Sequence, residues 1–196
     1  MISPINIEDH WPRIAAIDFG WDHPTAVVWC AIDPEEEMFY VYDCYRASKA
    51  SPSVHAEIIR QRPNFIPIAY PHDGNRRDSM GNPGLADQYR NLGCNFLLEH
   101  FSNPPALGAK KGSNSIEEGL MAMLQSMEAK KFKVFSTLGD WFEEFRMFHR
   151  KDGKVVPIRD DLMAATRYAF QSQRYAIAGA DPNWTNEITY RNYGIV

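Results

Sequence analysis

Cysteine is scarce in this 196-residue chain: only Cys30, Cys44 and Cys94 occur, and no two of them form a Cys-x-x-Cys pair. An odd, scattered set excludes a disulfide framework and a zinc knuckle, fits a reducing compartment, and leaves each thiol as a small core residue. The six histidines show neither His-Glu-x-x-His nor paired zinc spacing. No apolar run reaches the length of about 18 residues that a membrane helix needs, so no membrane partner is expected. Residues 1–11 lack the basic-then-apolar pattern of a signal peptide. Positive charge is not in excess either: 21 Lys and Arg stand against 25 Asp and Glu, for a net charge of -4. This excludes a chain coated in basic charge, but not a local basic patch beside a cluster of acids. No Gly-x-x-x-x-Gly-Lys-Ser/Thr loop is present, so ATP is not expected as a cofactor. Internal repeats and low-complexity segments are also missing.

What remains is an ordinary globular composition, 44% hydrophobic and 23% charged, in a length that suits one domain with one sizeable core. The chain divides into a lead-in arm (1–12), a single domain (13–175) and a polar tail (176–196) that a partner would order. The most informative stretch is Ile14-Ala15-Ala16-Ile17-Asp18-Phe19-Gly20. An apolar run climbs to one carboxylate, a glycine follows, and Thr25-Ala26-Val27-Val28-Trp29 returns as a second apolar run. This predicts a buried strand ending in an acid, a turn, and an antiparallel neighbour.

Met38–Tyr45 continues the meander as an aromatic-rich third strand. Ser51-Pro52 opens a helix, as N-cap and first helical residue, that stops before Pro63. Phe65–Tyr70 reads as a fourth strand and leads into Pro71-His72-Asp73-Gly74. A helix is expected from Asn82 or Pro83 to Gly93, then a fifth strand over Cys94–Leu98. After a loop that contains Lys110-Lys111-Gly112, Ser115-Ile116-Glu117-Glu118 has capping-box spacing and predicts a helix to about Ala129. Its stripe of Leu120, Met123, Leu124 and Met127 reads as core. Phe132–Phe135 is a short strand, Asp140 a candidate cap for the helix of Trp141, Phe142, Phe145 and Phe148, and Lys151-Asp152-Gly153-Lys154 a hairpin turn. A last helix is expected from Leu162 to about Arg174. Three antiparallel strands followed by alternating helices and strands predict an α/β mixed sheet flanked by helices.

Three acidic positions share one structural logic. Asp18 ends the first strand, Asp73 follows the fourth, and Asp160 and Asp161 open the last helix. Each also fits a purely structural role. Asp18 and Asp73 suit turns, and Asp160 or Asp161 suits a helix N-cap. If they converge, their mutual repulsion calls for a cation. Oxygen-rich sites suit Mg²⁺ or Mn²⁺, and two such ions about 3.5–4 Å apart can hold the attacking and leaving oxygens of a phosphodiester.

The segment Pro157-Ile158-Arg159-Asp160-Asp161-Leu162-Met163-Ala164-Ala165-Thr166-Arg167-Tyr168-Ala169 resembles the acidic pair and small-residue helix of the nuclease domain in phage terminase large subunits. Ile17-Asp18-Phe19-Gly20 with Pro24–Val28 is similar to that family's opening strands, and Tyr70-Pro71-His72-Asp73-Gly74 stands where its second acid is expected. The likeness spans about Arg13 to Ala169. One departure is Ala164, where many members carry another Asp.

The resemblance implies an RNase H-like fold, related to integrases and Holliday-junction resolvases. It implies a metal-dependent endodeoxyribonuclease that cuts double-stranded concatemeric DNA during genome packaging. Asp18, Asp73, Asp160 and Asp161 are carried over as catalytic and metal-binding, with two Mg²⁺ or Mn²⁺ ions as cofactors and Asp161 as the main ligand of the pair. The ATPase motor of the same large subunit, the small subunit and the portal are the implied partners, and the host bacterial cytoplasm the implied location. The chain is then expected to be an isolated C-terminal domain whose Met1 need not be the native start.

Basic side chains should flank the acids and meet phosphates: Arg76 and Arg77 after Asp73, Lys110 and Lys111 in the loop, Arg150, Lys151 and Lys154 on the hairpin. His149 and Arg159 stand nearby. His72 and His23 read as packing or turn-bracing residues. Three other readings compete. An actin-like ATPase would need a second Asp-x-Gly half that this chain lacks. A DNA-binding or motor-docking module with a weak site, and a resolvase-like nuclease, both remain open.

Overall fold

The computed structural model describes residues 1–76, 83–105, 112–156 and 158–179. β1 (Arg13–Asp18), β2 (Thr25–Asp33) and β3 (Met38–Ala47) form the antiparallel meander. β4 (Ile68–Ala69) lies parallel to β1 and β5 (Phe132–Val134) parallel to β3, so the sheet runs β4-β1-β2-β3-β5. The helices are α1 (Pro52–Ile59), α2 (Leu85–Asn91), α3 (Ile116–Glu128), α4 (Gly139–Met147) and α5 (Asp161–Gln171). A separate two-stranded ribbon joins β6 (Arg150–Lys151) to β7 (Lys154–Val155).

Both faces of the sheet are covered, which is why its inner strands read as continuous apolar runs and not as an alternation. Ala15, Ile17, Val27 and Trp29 pack on one face with Ala56 and Ile59 of α1 and Ala86 and Tyr89 of α2. Ile14, Ala16, Ala26 and Val28 pack on the other with Trp141 of α4 and Leu162 and Ala165 of α5. α5 lies against β1 and β2. Ala165 and Ala169, both fully buried, let its backbone approach closely.

The turn between β1 and β2 explains Gly20. A Cβ there would stand 2.3 Å from the His23 carbonyl oxygen and 2.6 Å from that of Pro24. Thr25 closes the same turn: its hydroxyl donates to the Gly20 carbonyl (2.8 Å) and accepts from the Gly20 N–H (3.2 Å). The ribbon turn places Asp152 and Gly153 both at positive φ, 51° and 75°, as a two-residue hairpin of this handedness requires.

Several boundaries differ from the sequence expectation. The fourth strand shrinks from Phe65–Tyr70 to Ile68–Ala69, because Pro67 has no N–H to donate to a ladder. The fifth strand, expected over Cys94–Leu98, reduces to one bridge between Phe96 and Ile68. α2 begins at Leu85 behind Gly84; Asn82 lies outside the described residues. Ser51 makes no cap hydrogen bond to α1, and its hydroxyl meets Ser53 instead. Ser115 does accept from the Glu118 N–H, but the Glu118 carboxylate turns to Ser113 and Asn103, so the reciprocal half of the capping box does not form. Asp140 is not the cap of α4: Leu138 holds that place, and Asp140 pairs with Arg46. α5 starts one residue early and ends at Gln171, followed by a 3₁₀ turn over Gln173–Tyr175.

The expected arm is pinned near its outer end and the tail at its inner end. Ile2 bridges Phe135, and Ile177 exchanges two backbone hydrogen bonds with Arg13. Met123 of the methionine stripe is buried, whereas Leu124 is exposed. Cys30 and Cys94 are buried free thiols, and Cys44 is half-buried. Among the described residues no helix is long and apolar enough to cross a membrane.

Candidate active site

β1 carries Asp18 to the sheet edge. Asp18 lies opposite Ala26, and Ala26 opposite Arg46, so these three residues form one row across β1, β2 and β3 on the face that α5 covers. α5 brings Asp160 and Asp161 to the same end. Asp73 sits in a 3₁₀ turn (His72–Asn75) directly after β4, the parallel neighbour of β1. Gly74 makes that turn fit: a Cβ there would stand 2.6 Å from the Phe19 ring and 2.8 Å from the Tyr70 ring.

The electrostatics tie these positions together. The Asp18 carboxyl is pushed up to about 7, first by burial, then by the negative charges of Asp161, Asp73 and Asp160. A hydrogen bond from Tyr168 works in the opposite direction. Asp161 is raised by burial and by Asp160, against the pull of His23 and Arg46. Asp160 is raised by burial, against the pull of His23 and Arg167. One Asp161 carboxylate oxygen, Oδ2, is buried without any hydrogen-bond partner.

The acids open onto adjoining hollows. Asp18 and Asp160 line one of about 160 Å³ together with Arg167 and Tyr168. Asp161 lines a cleft of about 470 Å³ with His23, Arg46 and Arg159. Asp73, exposed, faces a third, beside Phe19 and Thr25. Among the described residues no three acidic, histidine or cysteine side chains stand close enough to form a ready-made metal cage. The donors nevertheless suit a hard cation: they are all carboxylates, they repel one another, and one buried oxygen is orphaned. Mg²⁺ keeps several waters and takes phosphate oxygens, so it does not need an all-protein cage.

The basic residues divide into three groups. Arg76, Lys151 and Lys154 are exposed. Arg150 is tied to α3 by an ion pair with Glu117 (2.6 Å). Arg77, Lys110 and Lys111 lie outside the described residues. Arg159 adopts a left-handed backbone (φ 52°) and pairs with Glu143 (3.0 Å) at the cleft. His23 stands at the mouth of the Asp161 cleft, which gives it an electrostatic role besides that of a turn brace. His72 is exposed, with its ring edge-on to His100 at 6.3 Å.

Sequence reasoning passed over three groups here. Arg167 is buried, its guanidinium stacked over Phe101 (5.3 Å) and Tyr168 (4.7 Å) and attracted to Asp18 and Asp160. Tyr168 bonds Asp18. Glu144, fully buried, joins α4 to both β3 and α5. Arg167 and Tyr168 lie within the acidic-pair segment, where their types and spacing are a usable signal. Glu144 reads as one of several charges on a surface helix and gives no signal.

A family model described as the terminase RNaseH-like domain matches residues 15–173. The chain is 35% identical over 175 residues to the terminase large subunit of Salmonella phage P22, covering 89% of this chain and 34% of that protein. It therefore spans about a third of the length of that relative. Among solved structures, the P22 large terminase nuclease domain superposes with a TM-score of 0.80 at 34% identity, covering 90% of this chain and 89% of that one. The large terminase of a thermophilic bacteriophage (TM-score 0.64, 12% identity, 87% and 41% covered) shares the fold. So does the bacteriophage SPP1 large terminase nuclease domain, solved with bound Mn (0.59, 19%, 82% and 86% covered).

Proposed function

The chain belongs to the terminase RNaseH-like domain family, and from that membership we propose that it is a divalent-metal-dependent endonuclease that cuts concatemeric double-stranded DNA during viral genome packaging. The observation that carries the reading is the acidic cluster itself. Asp18, Asp160 and Asp161 gather at one sheet end, beside Asp73, with an unpartnered buried carboxylate oxygen and a carboxyl that holds its proton to about pH 7. A protein accepts such repulsion at a cost in stability, which binding a cation would offset.

Asp18, Asp160, Asp161 and Asp73 would hold two Mg²⁺ or Mn²⁺ ions, which supply water activation and stabilisation of the leaving 3′ oxygen. The chain's own groups set the stage. Tyr168, Arg167 and His23 offset the negative charge around Asp18, Asp160 and Asp161. Arg76, Lys151 and Lys154, with Arg77, Lys110 and Lys111, would meet DNA phosphates. Arg150 would have to leave Glu117 to do so. The partners proposed with this reading are an ATPase motor in the same polypeptide, the small terminase subunit and the portal, in the bacterial cytoplasm during assembly.

The test is direct. With supercoiled plasmid and Mn²⁺, the purified protein should give nicked and linear DNA, and Asp18→Ala should lower that cutting by about a hundred- to a thousandfold, the order expected when a group central to transition-state charge stabilisation is removed. Uncut plasmid, or cutting that survives Asp18→Ala, defeats the reading and favours a DNA-binding or motor-docking module.

A further inference from the structure

An acid at a helix N-terminus ordinarily spends its carboxylate on the unpaired backbone N–H groups there. Asp160 is the N-cap residue of α5, yet its side chain makes no cap hydrogen bond. The Leu162 N–H donates instead to Glu144 Oε2, at 2.7 Å and fully buried. Glu144 Oε1 accepts from Arg46 Nη1 at 3.0 Å. Arg46 in turn lies in the cross-strand row of Asp18 and Ala26. A second lock runs alongside: Trp141, one turn before Glu144 on α4, donates its indole N–H to Thr166 of α5 at 2.9 Å.

From this geometry we infer that Glu144 is a positioning residue for the acidic site, resting on the nuclease reading above. It caps α5 from outside, which leaves the Asp160 and Asp161 carboxylates free, and with Arg46 it braces the start of α5 against the row that carries Asp18. Both of its carboxylate oxygens are already engaged, by Arg46 and by the Leu162 N–H, so it acts through Asp160 and Asp161. Burial pushes its carboxyl above the ordinary carboxylate range, and two donors, the guanidinium and the helix N-terminus, work in the opposite direction. Arg46 also meets Asp140 (3.1 Å) and Glu143, so the brace is anchored on one face of α4.

Removing a group that orients metal-binding carboxylates typically costs about 10–100-fold in metal affinity. Mn²⁺ binding, followed by electron paramagnetic resonance without DNA, is the readout, with thermal melting by circular dichroism beside it. Glu144→Ala should weaken Mn²⁺ binding by about 10–100-fold at a temperature where the variant is folded. Glu144→Gln, whose carbonyl can still accept from Leu162, should recover most of that loss. Wild-type affinity in Glu144→Ala, or an equal loss in Glu144→Gln, overturns the assignment. If the alanine variant does not fold, Arg46→Lys decides. Lys keeps the charge but cannot fork across several carboxylates, so weaker Mn²⁺ binding supports the brace and unchanged binding overturns it. Failure of the wild type itself to bind Mn²⁺ would strike the nuclease reading, a result distinct from any of these.

Discussion

At Asp18, burial and three neighbouring carboxylates act in one direction, and the cost falls on the folded state alone. Unfolded, this carboxyl releases its proton near pH 4; folded, it does so at about 7. Between those values the native state binds the extra proton, so stability falls as pH rises through the window, and the penalty is complete above pH 7. Asp18→Asn removes the ionisation. In chelator at pH 8 the variant should be more stable than wild type by about 2–4 kcal/mol, with the gain vanishing near pH 4. Melting curves at the two pH values check this; equal melting temperatures at pH 8 would refute it. The same substitution should abolish cutting, so stability and activity part company at this one residue.

Two elements, α4 and α5, decide where the acidic pair sits. Their contact depends on two buried hydrogen bonds, Trp141 to Thr166 and Leu162 to Glu144. Trp141→Phe keeps an aromatic ring and deletes one of them. Thr166 keeps a partner, since its hydroxyl also donates to the Leu162 carbonyl at 2.6 Å. The expected loss is therefore close to that of one hydrogen bond plus the smaller ring, about 1–2 kcal/mol in urea unfolding, with no change in slope. A loss of more than about 4 kcal/mol would mean that the contact carries more than packing and one bond. The ribbon β6–β7 is legible in the chain itself, because Asp-Gly supplies positive φ twice over at little cost. The fourth and fifth strands are not. Ile66, Ile68, Tyr70, Cys94 and Phe96 are buried as expected and Leu98 is exposed, but Pro67 and the brief pairing of Phe96 leave almost no ladder.

For the whole molecule, the proposed nuclease reading makes stability responsive to a divalent cation. A ligand that binds only the folded state raises stability by RT ln(1 + [L]/Kd), about 2.7 kcal/mol at a hundredfold excess over Kd. Mn²⁺ at pH 8 should therefore raise the melting temperature by several degrees, excess chelator should reverse the rise, and Asp18→Ala should not respond. A Mn²⁺ response that persists in Asp18→Ala would place the ion elsewhere.

Much of this followed from the chain alone. Runs such as Ile14–Ile17 and Ala26–Val28 can be satisfied only between two covered faces, and Gly20 and Gly153 can be explained by local sterics. The strand, the turn and the acid at its end are short-range facts, and so they show in short stretches of sequence. That the acidic residues come to one end of the sheet is a long-range fact. Asp18, Asp73 and Asp160 are far apart in the chain, and only the sheet order β4-β1-β2 and the seating of α5 bring them to one end. The most hidden part is Glu144. Nothing in Trp141-Phe142-Glu143-Glu144-Phe145 separates one glutamate from the other. Tertiary packing leaves Glu143 at the surface and buries Glu144 between a guanidinium and a helix N-terminus, because only there are two donors available to hold a buried charge.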